Sequence, residues 1–232
     1  MNSQRTAWRA KYMYSTIVYD LDGTLVDSAA TVAVLLNGLR AEQALPPLDR
    51  EEFTPWLSIG GMALVAAALD IPESHAQPFL ETFRSRYSML PTDPATLYPD
   101  VCETLSSLKE AGLRLALCTN KPRQLTDKIL AETGLGEYFS IVCAGHDLPT
   151  RKPHPHNLQA CLNALDSSPS ESIIVGDSRI DQTLAHACKV DFAFFEGGYN
   201  DGVQNDSCTF ILRQHTEIFN LLSSIEKRPY RE

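Results

Sequence analysis

Basic charge is scarce in this chain: 232 residues carry 20 Lys+Arg against 29 Asp+Glu, a formal charge of −9. A balance of that sign gives no electrostatic footprint for nucleic acid or an anionic membrane, so neither is expected as a partner. Long apolar runs are lacking as well. The most apolar uncharged stretch, Thr54 to Leu69, falls short of the roughly 20 residues of a bilayer span, and Gly60-Gly61 interrupts it. No apolar core of a secretory leader stands near the N-terminus. Residues 1–12 hold Arg5, Arg9 and Lys11 and no acid, and read as an extension ahead of an alternative start at Met13; a transit peptide is the other reading. No two of the six cysteines, at 102, 118, 143, 161, 188 and 208, form a CxxC pair. They read as six reduced core thiols of a cytoplasmic protein rather than as a disulfide framework.

What is present is ordinary for a globular chain: 44% hydrophobic and 21% charged residues. Thr16-Ile17-Val18-Tyr19 is a β-branched run that predicts a buried strand ending at Asp20, with a turn at Asp22-Gly23. Three sets of apolar residues at helical spacing follow: Val32, Leu35, Leu36 and Leu39; Met62, Val65, Ala66 and Leu69; Phe79, Leu80, Phe83, Tyr87 and Leu90. Pro46-Pro47, Pro55, Pro72 and Pro91 are expected to separate these segments. Residues 28–95 thus predict a small all-helical unit.

From Pro99 onward helices and strands alternate. Strands are expected at 113–118, 139–144, 172–175, 191–195 and 209–212, with helices at 101–111, 122–132, 158–165, 180–188 and 215–225. Alternation of this kind predicts a parallel sheet with helices on both faces, a Rossmann-like three-layer α/β/α core. The first strand must join that sheet, so the core comprises 1–27 and 96–232, and the helical unit 28–95 is an insert.

Ligands of such sheets bind beyond the carboxyl ends of the strands. Asp20-Leu21-Asp22-Gly23-Thr24 follows the first strand and Thr119-Asn120 the second. Arg151-Lys152-Pro153 lies beyond the third, and Gly176-Asp177-Ser178-Arg179-Ile180-Asp181 follows the fourth. Packing of a core does not require polar groups to collect at one edge from four places, and that coincidence marks a site. A DxDGT string arises by chance at about one position in 10⁵ for average residue usage.

These four segments, in order and spacing, resemble the motifs of the haloacid dehalogenase superfamily, and most of the chain resembles its phosphoglycolate phosphatase-like branch. The resemblance implies an HAD-like core with an α-helical cap, and a phosphatase that works through an aspartyl-phosphate. Asp20 is implied as the nucleophile; otherwise it caps a turn. Asp22 is implied as the acid that protonates the leaving group and later activates water; otherwise it is a turn residue. Relatives that are dehalogenases or phosphonatases lack an acid there. Asp20, the backbone carbonyl of Asp22, and Asp177 are implied as oxygen ligands of Mg²⁺. Asp181 is expected behind them, either touching metal-bound water or orienting Lys152, with a helix-surface acid as the plainer alternative.

Thr119 and Asn120 are expected to hold phosphoryl oxygens, although Asn is also a common turn residue. Lys152 is chosen over its rivals Arg151 and Lys121 because the Lys-Pro step matches the motif. His154 and His156 lack further zinc ligands, and His154 reads as part of a loop or as a substrate edge. Gly60 and Gly61 open a helix whose N–H groups suit a substrate anion, or else form a simple turn. Gly198-Tyr199-Asn200 resembles a segment found after the fifth strand of phosphoglycolate phosphatases. The substrate expected is a small phosphate ester. A phosphomutase of the β-phosphoglucomutase type, a 5'-nucleotidase-like phosphatase and a non-catalytic scaffold are the alternatives, and oligomeric state is not legible.

Overall fold

The computed structural model describes residues 12–206 and 209–223. The basic segment 1–11, Cys208 and the expected end of the last helix at 224–225 lie outside them.

Six parallel strands form one sheet: β1 (Thr16–Tyr19), β2 (Arg114–Pro122), β3 (Ile141–Gly145), β4 (Ser172–Gly176), β5 (Asp191–Phe195) and β6 (Thr209–Leu212). Their order is β3-β2-β1-β4-β5-β6. The first strand in sequence is therefore central, between β2 and β4, and the order reverses beside it, which opens a crevice at its carboxyl end. Alternation along β1 divides the core. Ile17 and Tyr19 face one buried layer and Val18 the other. On the Val18 side lie α7 (His156–Ala164) and α8 (Arg179–Cys188), with Leu158, Cys161, Leu162 and Leu184 buried. The opposite face carries α5 (Val101–Glu110), α6 (Arg123–Thr133) and α9 (Ile218–Ser223), with Leu105, Leu108, Ile129 and Ile218 buried.

Between β1 and α5 stand four helices: α1 (Ala29–Glu42), α2 (Arg50–Leu57), α3 (Gly61–Leu69) and α4 (Gln77–Met89). Their apolar stripes converge on Leu36, Phe53, Val65, Leu69 and Phe83, all buried. The two chain segments joining this unit to the sheet are bonded to each other: Asp27 N–H donates to Thr96 O at 2.7 Å and Tyr98 N–H to Leu25 O at 3.1 Å. Helix α4 also contacts α6, which sets one wall of the insert against the sheet domain.

Four expectations are corrected. Pro55 does not separate segments; it lies inside α2, whose start carries a capping box between Asp49 and Glu52. It is the sixth of eight residues, and in so short a helix its ring removes one intrahelical donor, the one that would reach back to Glu51 O. Strand β2 does not stop at Cys118; it continues to Pro122 through a register shift against β3. Cys102 is exposed on α5, whereas Cys118, Cys143, Cys161 and Cys188 are buried. The last helix begins only at Ile218, after a 3₁₀ turn at His215–Glu217. Among the described residues no helix is long and apolar enough to cross a membrane.

Candidate active site

Three strand ends deliver the site. Asp20 follows β1, Thr119 to Lys121 end β2, and Asp177 follows β4. The side chain of Asp20 is only 12% exposed. Its Oδ1 accepts the Leu21 N–H at 2.7 Å and lies 2.8 Å from Lys152 Nζ. Burial pushes the Asp20 carboxyl up to about 7, with Lys152 opposing and Asp181 adding to the rise.

Lys152 Nζ also lies 2.7 Å from Asp181 Oδ1. An ammonium has three donors, so two are taken by carboxylates and one is left to point elsewhere. Burial works against this cation, but Asp181 and Asp20 hold it above the ordinary lysine range. The other oxygen of Asp181 accepts Ser178 Oγ at 2.6 Å. Asp181 is fully buried with both oxygens engaged, one by Lys152 and one by Ser178, so it is not a helix-surface acid.

Asp177 is buried, 1% exposed. Its Oδ1 accepts Thr24 Oγ1 at 2.9 Å and its Oδ2 accepts Tyr199 N–H at 2.8 Å. Burial, then Asp181 and Asp20, raise its carboxyl well above the usual range. Gly23 makes this packing feasible. It has φ +80°, and a Cβ there would sit 2.1 Å from Asp177 Oδ2. At Gly176 a Cβ would sit 2.5 Å from Asp181 Cγ, so a side chain there would displace Asp181.

Asp20, Asp177 and Asp181 each offer an oxygen within 4.8 Å of the others. With all three ionised, one ammonium would leave two negative charges unmatched in a buried place; such charges are held only when paired or bound to metal, and the raised carboxyls of Asp20 and Asp177 reflect that shortfall. The donors are all oxygen, the set preferred by a hard dication such as magnesium. The residues present therefore fit Mg²⁺.

Asp22 stands apart from this cluster. Its carboxylate accepts Ser28 Oγ at 2.6 Å and Lys121 Nζ at 2.9 and 3.1 Å. Ser28 is itself tied to Tyr199, whose hydroxyl accepts the Ser28 N–H at 3.1 Å. Thr119 is buried and its Oγ1 accepts the Lys121 N–H at 3.2 Å, which leaves the hydroxyl proton available. Asn120 clamps the backbone of Lys152, donating to its O at 3.1 Å and accepting from its N–H at 2.9 Å. That amide is engaged in holding the Lys152 loop.

These groups border a cleft of about 110 Å³ between the sheet edge and the insert, bounded on the far side by Gly60, Gly61, Leu80, Arg84 and Tyr87. Gly60 and Gly61 both have φ +60° at the start of α3, and Gly60 N–H already donates to Trp56 O at 2.8 Å.

Sequence reasoning missed Lys121, Ser28, Thr24 and Tyr87. Period-2 alternation from Thr119 would have placed Lys121 on the same side of an extended strand. Ser28 lies four residues beyond Thr24, and the sequence offered no partner for it. Tyr87 was indistinguishable from the core stripe of α4.

The chain belongs to the haloacid dehalogenase-like hydrolases, whose family model matches residues 17–195. It is 35% identical over 196 residues to a phosphoglycolate phosphatase of Haemophilus influenzae (strain 86-028NP), covering 81% of this chain and 88% of that protein. A phosphoglycolate phosphatase of Pectobacterium atrosepticum is 34% identical over 191 residues, covering 80% and 82%. Among solved structures, that of a predicted phosphoglycolate phosphatase from Haemophilus somnus 129pt matches with a TM-score of 0.80 at 28% identity, over 90% of this chain and 98% of that one.

Proposed function

We propose that this chain is a Mg²⁺-dependent phosphatase that hydrolyses a small phosphomonoester, phosphoglycolate or a compound like it, through a phosphorylated Asp20. The observation that carries the reading is the carboxylate of Asp20 at the tip of the central strand, beside one ammonium and an oxygen cluster suited to a dication. The family and its named phosphatase relatives support it.

Asp20, Asp177 and the backbone carbonyl of Asp22 would hold the magnesium. Bound there, the ion neutralises the carboxylates and the phosphoryl oxygens that would otherwise repel each other. Asp20 attacks phosphorus and the ester P–O bond breaks. The leaving alkoxide takes a proton from the Asp22 carboxyl. Water then attacks the acyl-phosphate, Asp22 removes its proton, and phosphate departs with Asp20 restored. The third N–H of Lys152 and the hydroxyl of Thr119 hold the transferring oxygens. Asn120 acts on the substrate through the Lys152 loop that it clamps.

The four-helix unit, residues 28–95, serves as a cap over the core formed by 1–27 and 96–232. It excludes water while the acyl-phosphate exists. Gly61, at the first turn of α3, is the backbone donor offered to the leaving group. A cleft of about 110 Å³ suits a small acid better than a nucleotide. An acid before Asp177 would favour a phosphomutase; the chain has Gly176 there, where a Cβ would displace Asp181.

The test is phosphate release from phosphoglycolate by Asp20→Asn with Mg²⁺ in excess. Activity is expected to vanish; turnover near that of the unmodified protein would overturn the assignment.

A further inference from the structure

Lys121 is a buried cation, its side chain 7% exposed. A buried ammonium has to be met by acceptors. Its Nζ lies 2.9 and 3.1 Å from the two oxygens of Asp22 and 3.2 Å from the hydroxyl of Tyr87. These contacts match its three donors. The same nitrogen sits 4.4 Å from the centre of the Tyr87 ring. Oδ1 of Asp22 also receives Ser28 Oγ at 2.6 Å, so Oδ1 has two donors and Oδ2 only one. The carboxyl plane is thereby fixed, with Oδ2 the oxygen that retains open acceptor capacity.

Lys121 comes from β2 in the sheet, Asp22 from the turn after β1, and Tyr87 from α4 in the insert. Three separate parts of the chain meet at one nitrogen. We propose that Lys121 is a positioning residue for Asp22, and that Tyr87 makes this positioning depend on α4 standing over the site. The inference rests on the phosphatase reading, in which Asp22 handles the proton of the leaving group.

The side chain of Lys121 touches neither Asp20 nor Lys152, and Thr119 contacts only its backbone N–H. Its loss therefore leaves the nucleophile and the phosphoryl-holding groups in place while Asp22 loses its pose. A misplacement of about 1 Å is enough to cost a large part of a proton transfer. The effect must then grow with the basicity of the leaving oxygen, because a basic alkoxide or phenoxide needs that proton and a nitrophenolate does not.

The experiment compares kcat/KM, which covers the steps through departure of the leaving group, on phenyl phosphate and 4-nitrophenyl phosphate at saturating Mg²⁺. The two esters share shape and carry no second charge, so recognition of the leaving group by Lys121 cannot imitate the effect. Lys121→Met is expected to lose about 10²-fold on phenyl phosphate, within the range of general acid catalysis, and less than about threefold on the nitro ester. Tyr87→Phe keeps the ring and removes only the hydroxyl; a loss of about fivefold on phenyl phosphate alone is expected, a small share of the same effect. It carries the test should Lys121→Met fail to fold. Equal losses on the two esters, or none, in the folded variants would overturn the proposal. Failure of the unmodified protein to release phosphate from these esters and from phosphoglycolate would instead overturn the phosphatase reading.

Discussion

Thr24 Oγ1 donates to Asp177 Oδ1 at 2.9 Å, joining the turn after β1 to the end of β4 across 153 positions of chain. Tyr199 N–H aims the other oxygen. Neutral donors orient a carboxylate without cancelling its charge, which is what a ligand of a dication requires. Thr24→Val, nearly the same shape, is expected to weaken Mg²⁺ binding by about tenfold, the low end of the range for such supporting contacts. Calorimetric titration with Mg²⁺ checks it, and kcat at saturating metal should change much less. An unaltered affinity would show that Thr24 does not orient Asp177.

Lys152 is the sole ammonium within ion-pair distance of Asp20 and Asp181 among the described residues. Lys152→Met should lower phosphate release by about 10²–10³-fold, the scale seen when one stabilising donor is removed from a reacting oxygen. It should also lower the melting temperature without metal, since carboxylates are then left buried and unpaired. Added Mg²⁺ is expected to raise Tm more in the variant than in the unmodified protein. Thermal unfolding with and without Mg²⁺ reads this difference, and equal increments would contradict it.

His215 is buried, its Nε2 lies 2.9 Å from Thr24 O and its ring is stacked on Phe195 at 4.3 Å. The carbonyl can only accept, so the ring donates from Nε2. Burial lowers its pKa from 6.5 to about 4. The unfolded chain therefore binds a proton that the folded chain refuses between these values. Stability from this residue is complete above pH 6.5 and is lost as the pH falls towards 4, by up to about 3 kcal/mol for the full shift. Asp20, raised to about 7, acts in the opposite sense on acidification. A comparison with His215→Asn cancels that contribution. Urea unfolding from pH 7.5 to 4.5 should show the unmodified protein losing more stability than the variant. Parallel curves would count against a buried neutral histidine.

The sheet was legible because β-branched runs such as Thr16–Tyr19 alternate with amphipathic helices, and because a parallel sheet brings its polar strand ends to one edge. That logic alone gathered Asp20, Thr119 and Asp177 at one sheet edge; in the structure Asp20 and Thr119 line one cleft, and Asp20 and Asp177 offer oxygens within 4.8 Å. It failed where a local signal was ambiguous. Pro55 looked like a breaker, although within an eight-residue helix it removes a single backbone donor. The polar run Thr119-Asn120-Lys121 looked like a turn, although it continues β2 past the register shift. Lys121 was consequently weighed only against Lys152. The two lysines instead serve different carboxylates, Asp22 and Asp20, and only coordinates separate two cations of the same type. Cys102 shared the helical spacing of its buried neighbours, yet lies on the outer side of α5.

The two crossings between sheet and insert are laced to each other by Asp27–Thr96 and Leu25–Tyr98 backbone bonds. A double-stranded ribbon bends more readily than it twists or stretches. Any tilt of the helical unit would therefore have to carry both crossings together. On the phosphatase reading, any such tilt would change the mouth of the cleft lined by Gly61 and Arg151.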